Sequence, residues 1–367
     1  MEVSILAIST AVPSYAINQE HLADFFIDAL SIQPEKANEI RQIHKNSAIR
    51  TRYSVVPDFG KSRNEWGFLG PEFPKKIPGM GARNNLYKIE APKLAFEAAK
   101  KALKAWGGYS EAITHVISVS CTGVVAPGIE FNLVKLLGLK PTTQRLGINF
   151  MGCFGAFKGL SVAQAFAREN PEHRVLLVCT ELCSLHIQAE QTSDNILGNS
   201  LFSDGAAAVI VGANTQSYEN PLWQIKNMCS IGLDSTSDKI TWEAGDEGFL
   251  MKLSHKIPVL LGRNIQSFSQ TLLGPDLCNK DIEWAIHPGG KSIIQAIEKK
   301  LDLKKDQTKA SWEVLENYGN MSSATFLFVL NRLFEQGDTK KWTVGVGFGP
   351  GLSIEGILLT QPAHKRG

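Results

Sequence analysis

Asn149-Phe-Met-Gly-Cys-Phe-Gly-Ala-Phe-Lys158 is the stretch around which the rest of the chain is organised. A β-rich run, Arg145 to Phe150, stops at Gly152, and a helical run begins directly after Cys153. In that run Phe157, Leu160, Ala163 and Ala167 recur at three- and four-residue spacing and would face a core. The pattern predicts one thiol at a strand-to-helix turn. Free N–H groups and the positive end of the helix dipole favour a thiolate there, and Gly152 and Gly155 let backbone or a substrate come close. A thiolate is the stronger nucleophile, so Cys153 is the candidate for covalent catalysis. A buried cysteine acting as a small hydrophobe fits this stretch equally well.

A chain of 367 residues can bury a large core and is long enough for two domains or two fused halves. With 43% apolar and 20% charged residues the composition excludes disordered and fibrous classes. A formal charge of +2 supplies no global drive towards nucleic acid or anionic membrane, so any anion site must be local. The six cysteines (Cys121, Cys153, Cys179, Cys183, Cys229, Cys278) show no paired metal spacing. No apolar run is long enough to span a bilayer, and the chain opens on a strand-like segment without a charged-then-apolar leader. The expectation is a cytoplasmic protein without disulfides, metal or membrane span.

Val3 to Val12 reads as a buried strand ending at Pro13, and Asn18 caps a helix carrying Leu22, Phe25 and Phe26. A second helix follows Pro34. From Lys36 to Arg63 seven basic residues (Lys36, Arg41, Lys45, Arg50, Arg52, Lys61, Arg63) face two acids, Glu39 and Asp58. That excess suits the phosphates of a nucleotide-bearing substrate, or simply a solvated surface. Residues 60–83 read as an irregular excursion, followed by a helix from about Asn84 to Trp106 and a strand over Thr114–Ser120. A helix follows over Ile129–Leu137, and after the Cys153 turn Arg174–Thr180 and Ala206–Val211 read as central strands covered on both faces. From Leu222 the alternation starts again, with strands at Gln224–Ser230, Ile282–Ile286, Thr343–Phe348 and Ile354–Leu359. Helices are expected near Ile257–Leu273, from Lys291 and over Ala324–Leu333. Such alternation predicts a layered α/β fold, divided at 1–213 and 214–367 into two similar halves with a site at their join.

A cysteine nucleophile needs a base. Of the eight histidines, His21, His44, His173 and His255 sit in polar or helical surroundings, His364 in the polar tail, and His115 at a strand start. His186 follows a strand and is a pocket candidate. His287 ends the apolar run Trp284-Ala-Ile286 and precedes Pro288-Gly-Gly290, so it repeats the setting of Cys153 at the carboxyl end of a strand. Asn320, in Tyr318-Gly-Asn-Met-Ser-Ser323, stands ahead of an apolar helix; it suits a cap, or an amide donor to a developing oxyanion. Gly345-Val-Gly-Phe-Gly-Pro-Gly351 reads as a tight rigid loop or hairpin turn, and it lacks the lysine and following helix of a phosphate loop.

Together these motifs resemble the type III polyketide synthases, the chalcone synthase-like branch of the thiolase-fold condensing enzymes. The resemblance rests on Gly152-Cys153-Phe154, Leu201-Phe-Ser-Asp-Gly-Ala-Ala-Ala208, His287-Pro-Gly-Gly290, Tyr318-Gly-Asn-Met-Ser-Ser323 and Gly347-Phe-Gly-Pro-Gly351, in the family's order across nearly the whole chain. It implies a five-layered αβαβα fold, a homodimer, and acyl-CoA starter and malonyl-CoA used without a separate cofactor or carrier protein. It implies Cys153 as nucleophile, His287 and Asn320 as promoters of decarboxylation, and Phe202 and Phe249 as gate aromatics. It also implies Cys121, Thr122, Cys183, His186, Ser322, Gly349 and Pro350 as cavity residues, with Arg41, Lys45, Gly289 and Gly290 at the coenzyme A. Plant chalcone synthases carry Thr-Ser-Gly in place of Cys121-Thr-Gly123, Met in place of Ala126, and two threonines in place of Cys183 and His186. These departures are closer to bacterial members that make pyrones, resorcinols or polyhydroxynaphthalenes. The competing readings are a single-round ketoacyl synthase of fatty-acid initiation and a non-catalytic acyl-CoA-binding scaffold.

Overall fold

A computed structural model describes residues 1–213, 215–275, 277, 282–337 and 340–362, so Cys278 and His364 lie outside the described residues. The amino-terminal part runs β1 (Val3–Ala11), β2 (Tyr15–Asn18), α1 (Gln19–Ala29), α2 (Pro34–Lys45), β3 (Thr51–Ser54), α3 (Met80–Trp106), β4 (His115–Ser120), α4 (Ile129–Leu136), β5 (Gln144–Asn149), α5 (Gly155–Glu169), β6 (Arg174–Leu182), α6 (Ser193–Leu201) and β7 (Asp204–Ala213). The remainder runs β8 (Trp223–Gly232), β9 (Ile240–Gly245), β10 (Gly248–Leu253), α7 (Ile257–Leu273), β11 (Ile282–Ile286), α8 (Lys291–Leu301), α9 (Lys309–Tyr318), α10 (Ser323–Gln336), β12 (Trp342–Gly349) and β13 (Ser353–Thr360). Local signals set several boundaries. Asn18 Oδ1 accepts the Glu20 N–H at 2.8 Å and starts α1. Gly107, at φ +78°, ends α3.

Nine strands join in the order β11-β12-β13-β8-β1-β7-β6-β4-β5. The two wings meet along a short antiparallel seam, Val3 to Ile225, Ser4 to Gln224 and Ile5 to Trp223. Because successive strand residues face opposite ways, each wing serves two apolar layers. Leu176 and Val178 of β6 pack towards α3, whereas Val175 and Leu177 pack towards α5 and α10. On the other wing Ala285 joins that central layer, and Trp284 and Ile286 pack with Leu261 and Ile265 of α7 and Ile294 of α8. The result is helix, sheet, central helices, sheet and helix, the five-layered α/β arrangement expected of the chain. Strands β6 and β7 are buried along their whole length, which is why they read as continuous apolar runs rather than alternating ones.

Two expectations need correction. Of the two readings of the glycine-rich segment the strand over Thr343–Phe348 holds and the tight loop does not: Trp342–Gly349 is strand β12, paired with β11 and β13, and only Pro350–Leu352 forms a turn. Its glycines are spaced by two because one face of the strand meets aromatic rings of the central helices. A Cβ on Gly345 would lie 2.5 Å from Phe326, on Gly347 2.3 Å from Phe157, and on Gly349 2.6 Å from Phe154. The second correction concerns 233–256, where no strand or helix was expected and which hold the hairpin β9–β10 in full register from Ile240–Leu253 to Gly245–Gly248. Helices α6 and α9 are also additions to the expected elements.

The comb of glycines gives a direct test of this packing. Gly347→Ala should destabilise the protein by about 1–3 kcal/mol through overpacking against Phe157. Chemical denaturation would measure it, and an unchanged midpoint would contradict the close approach of β12 to α5.

Candidate active site

The turn that carries Cys153 is shaped by what surrounds it. β5 ends at Asn149; Phe150 takes φ +59° and Gly152 φ +68°, and a single tight turn, Gly152–Phe154, leads into α5. A side chain on Gly152 would lie 2.4 Å from Cδ of Pro350, so the missing Cβ lets the end of β12 close against the thiol's turn. His287 follows β11 directly and donates its backbone N–H to Val346 at 2.8 Å. Asn320 is braced by the segment between α6 and β7: its N–H donates to the Leu201 carbonyl at 3.0 Å, and its carbonyl accepts from the Ser203 N–H at 2.9 Å. Its side-chain Oδ1 accepts the Ser322 N–H at 2.9 Å, and Nδ2 donates to the Gly289 carbonyl at 3.3 Å.

Cys153, His287 and Asn320 line one cavity. Cys121, Thr122, Cys183, His186, Phe202, Phe249, Ser322, Gly289, Gly349 and Pro350 line it too, whereas Gly290 does not and packs near Leu201. Phe202 forms a parallel bridge with Asn320, which ties the end of α6 to the amide. Cavity residues that the sequence reading passed over include Ile17, Leu22 and Phe26 around α1, and Trp242 and Met251 on the hairpin.

Burial sets the charge states here. The Cys153 thiol is pushed up to about 11, chiefly by loss of solvent, with hydrogen bonding to Ser322 and Asn320 pulling the other way. Burial therefore works against the thiolate that the turn alone suggests. Burial also depresses the His287 imidazole to about 3, and both of its ring nitrogens are buried without a hydrogen-bond partner among the described residues. At rest the cavity thus holds a thiol and a neutral imidazole with a free lone pair.

Glu181, unnoticed in the sequence, stands one residue before the end of the buried strand β6, and its charge acts against the Cys153 thiolate. It accepts hydrogen bonds from Cys121 N–H at 3.0 Å, Thr122 Oγ1 at 2.8 Å and Ser323 Oγ, and burial raises its pKa. An acid inside a run of β-branched and leucine residues was the available signal. Cys121 Sγ lies 3.2 Å from Ser322 Oγ and 3.4 Å from Glu181. His186 accepts the Phe249 N–H at Nδ1 (3.1 Å), so Nε2 carries the proton it donates to the Thr122 carbonyl at 2.8 Å. Its ring stacks on Phe249 with centroids 4.4 Å apart, and burial holds it neutral, with a pKa lowered to about 3.

The basic stretch is largely spent internally. Arg41 pairs with Asp24 at 2.9 Å in a separate surface groove, Arg63 with Asp28, and Arg50 with Glu316; Arg52 is buried and donates to the Asn199 and Phe202 carbonyls. Lys45 is exposed, and neither it nor Arg41 lines the Cys153 cavity. His44, expected at the surface, is buried against Phe26, with Nδ1 on the Ile40 carbonyl and a pKa lowered to about 4 by burial. Among the described residues no group of three or more His, Cys, Asp or Glu side chains is placed to hold a metal ion. No described helix is long and apolar enough to cross a membrane.

Comparison with known proteins agrees with this geometry. Residues 2–215 match the family model for the N-terminal domain of chalcone and stilbene synthases, and residues 227–362 match that for the C-terminal domain. "Probable polyketide synthase 1" of Dictyostelium discoideum is 36% identical over 97% of this chain; the chain spans 11% of that relative's length. The crystal structure of the C-terminal type III polyketide synthase domain of "Steely1", a type I/III hybrid from Dictyostelium, is 34% identical. It covers 99% of this chain and 100% of its own, with a TM-score of 0.92. PKS-I from the brown alga Ectocarpus siliculosus is 29% identical over 98% of each chain, with a TM-score of 0.91. Matched by family models along both halves and by solved structures over its length, the chain belongs to the chalcone and stilbene synthase family, the type III polyketide synthases.

Proposed function

We propose that this chain loads an acyl group from an acyl-CoA starter on Cys153 and extends it by repeated decarboxylative condensation with malonyl-CoA. The product is then cyclised to a pyrone, resorcinol or polyhydroxy-aromatic compound. The observation that carries the reading is the meeting of Cys153, His287 and Asn320 in one largely apolar cavity. The buried neutral imidazole has a lone pair for the thiol proton, and the thiolate so formed attacks the thioester carbonyl. The resulting oxyanion is held by the Asn320 amide and the protonated His287, which then gives its proton to the departing coenzyme A thiolate. In the second half of the cycle malonyl-CoA loses carbon dioxide. The same two donors hold the enolate oxygen, and its carbon attacks the acyl group on Cys153, releasing the thiolate for reloading. An apolar cavity strengthens each of these charge contacts and keeps water from the enolate.

Phe202, Phe249, Cys121, Thr122, Cys183, His186, Ser322, Gly349 and Pro350 form the walls in this reading. Gly289 offers backbone to the coenzyme A portion, and Gly290, which does not line the cavity, has less support in that role. Arg41 and Lys45 have less support as phosphate ligands, since Arg41 is already neutralised by Asp24. No separate cofactor enters the scheme, and a free thiol of this kind suits the cytoplasm. A homodimer is part of the proposal. β5 is an edge strand exposed at most of its positions, and Leu146 on it and Phe131 and Leu136 on α4 are exposed apolar side chains. An open strand edge of this kind fits pairing with a second copy.

Incubation with short, long and aromatic acyl-CoA starters plus malonyl-CoA, without carrier protein, should give products with two or more added two-carbon units by mass spectrometry. One condensation only, or an absolute need for carrier protein, would favour the single-round ketoacyl synthase. Because the thiol is raised and His287 is its proton acceptor, His287→Ala should slow alkylation of Cys153 by iodoacetamide at pH 7 by about tenfold or more. Reactivity in that variant should recover as pH rises towards the thiol pKa; equal rates in both proteins would remove His287 from this role. Light scattering should report two chains per particle, and a single-chain mass would remove the dimer.

A further inference from the structure

Phe150 stands three residues before Cys153 at φ +59°, a left-handed conformation that glycine takes freely and a bulky aromatic rarely adopts. In the single chain the residue is 37% exposed, and it belongs to none of the three apolar clusters that fill the layers. Its contact is Phe249, which it meets edge-on with centroids 5.2 Å apart and planes at 84°. Phe249 is fully buried and lines the cavity. Its backbone is held by His186 and by Gln188 Nε2, and its ring rests on His186 and Trp242. Those neighbours belong to the loop after β6 and to the hairpin. Phe150 is the aromatic contact that reaches Phe249 from the nucleophile's own turn, where its N–H is anchored on the Ser120 carbonyl at 3.3 Å.

Resting on the catalytic reading above, we infer that Phe150 is a positioning residue that fixes the Phe249 ring relative to Cys153 and thereby sets how many malonyl units are added before release. A cavity wall that is free to shift changes the space for the growing chain, so the effect falls on product length. Residue 150 touches neither substrate nor the reacting atoms in this account and acts only through Phe249.

Phe150→Gly is the informative variant, because glycine suits the backbone and the fold should be kept; Phe150→Leu, which keeps apolar bulk without a ring, is the second. With one starter and malonyl-CoA, the ratio of longer to shorter products should change at least threefold in Phe150→Gly and by less in Phe150→Leu. The double variant Phe150→Gly/Phe249→Ala should match Phe249→Ala alone. An active wild type whose product ratio is the same in Phe150→Gly, or effects of the two substitutions that simply multiply, would overturn this inference while leaving the catalytic reading standing. A wild type that makes no polyketide with any starter would overturn both.

Discussion

Three phenylalanine rings stand where side chains on β12 would be, and the two wings can close only because Gly345, Gly347 and Gly349 leave that space. The central layer of α5 and α10 is thereby held against strands of both wings. At the end of the same strand Pro350 fits against Gly152, which places the turn of Cys153 beside β12, while His287 follows the neighbouring β11 and bonds to Val346. Backbone approach along one strand thus aligns two turns that are far apart in the chain. Asn320 enters from a third direction, through its bridge to Phe202.

Closing the wings also removes water, and loss of solvent is the largest cause of the shifts at Cys153 and His287. Loss of solvent raises the Cys153 thiol to about 11 and lowers the His287 imidazole to about 3, so neither ion is favoured alone. In the proposed reaction a proton passed from sulfur to imidazole produces both ions at once, so that each offsets the cost of the other inside the cavity. Ser322, held at φ +48° next to Asn320, adds a hydrogen bond that favours the thiolate. Glu181 opposes it, and its own carboxyl is raised by burial and surrounded by donors from Cys121, Thr122 and Ser323.

Much of this was legible in the sequence, for reasons that are local. β6, β7 and β11 announced themselves because strands covered on both faces need unbroken apolar runs. The turns of Cys153 and His287 were readable because glycine and proline mark them within a few residues. What escaped depends on distant partners. The spacing of Gly345, Gly347 and Gly349 fits a loop equally well until Phe326, Phe157 and Phe154 are set against it. Glu181 stands out as an acid in an apolar run, but its role is unreadable until Ser323 and Cys121 surround it. The hairpin that supplies Trp242 and Met251 carries too many charges in Trp242-Glu-Ala-Gly-Asp-Glu-Gly248 to read as strand. Arg52 reads as one more surface cation, although the fold spends it on the carbonyls of Asn199 and Phe202.

The central claim is that one sulfur, at the turn between β5 and α5, receives the acyl group. Intact-protein mass spectrometry after brief exposure to an acyl-CoA, compared with Cys153→Ala, tests it most directly. A single added acyl mass on the wild type, mapping to the peptide that contains Cys153 and missing from Cys153→Ala, is the result this account predicts. An adduct that survives in Cys153→Ala, or that maps to Cys121 or Cys183 instead, would contradict it.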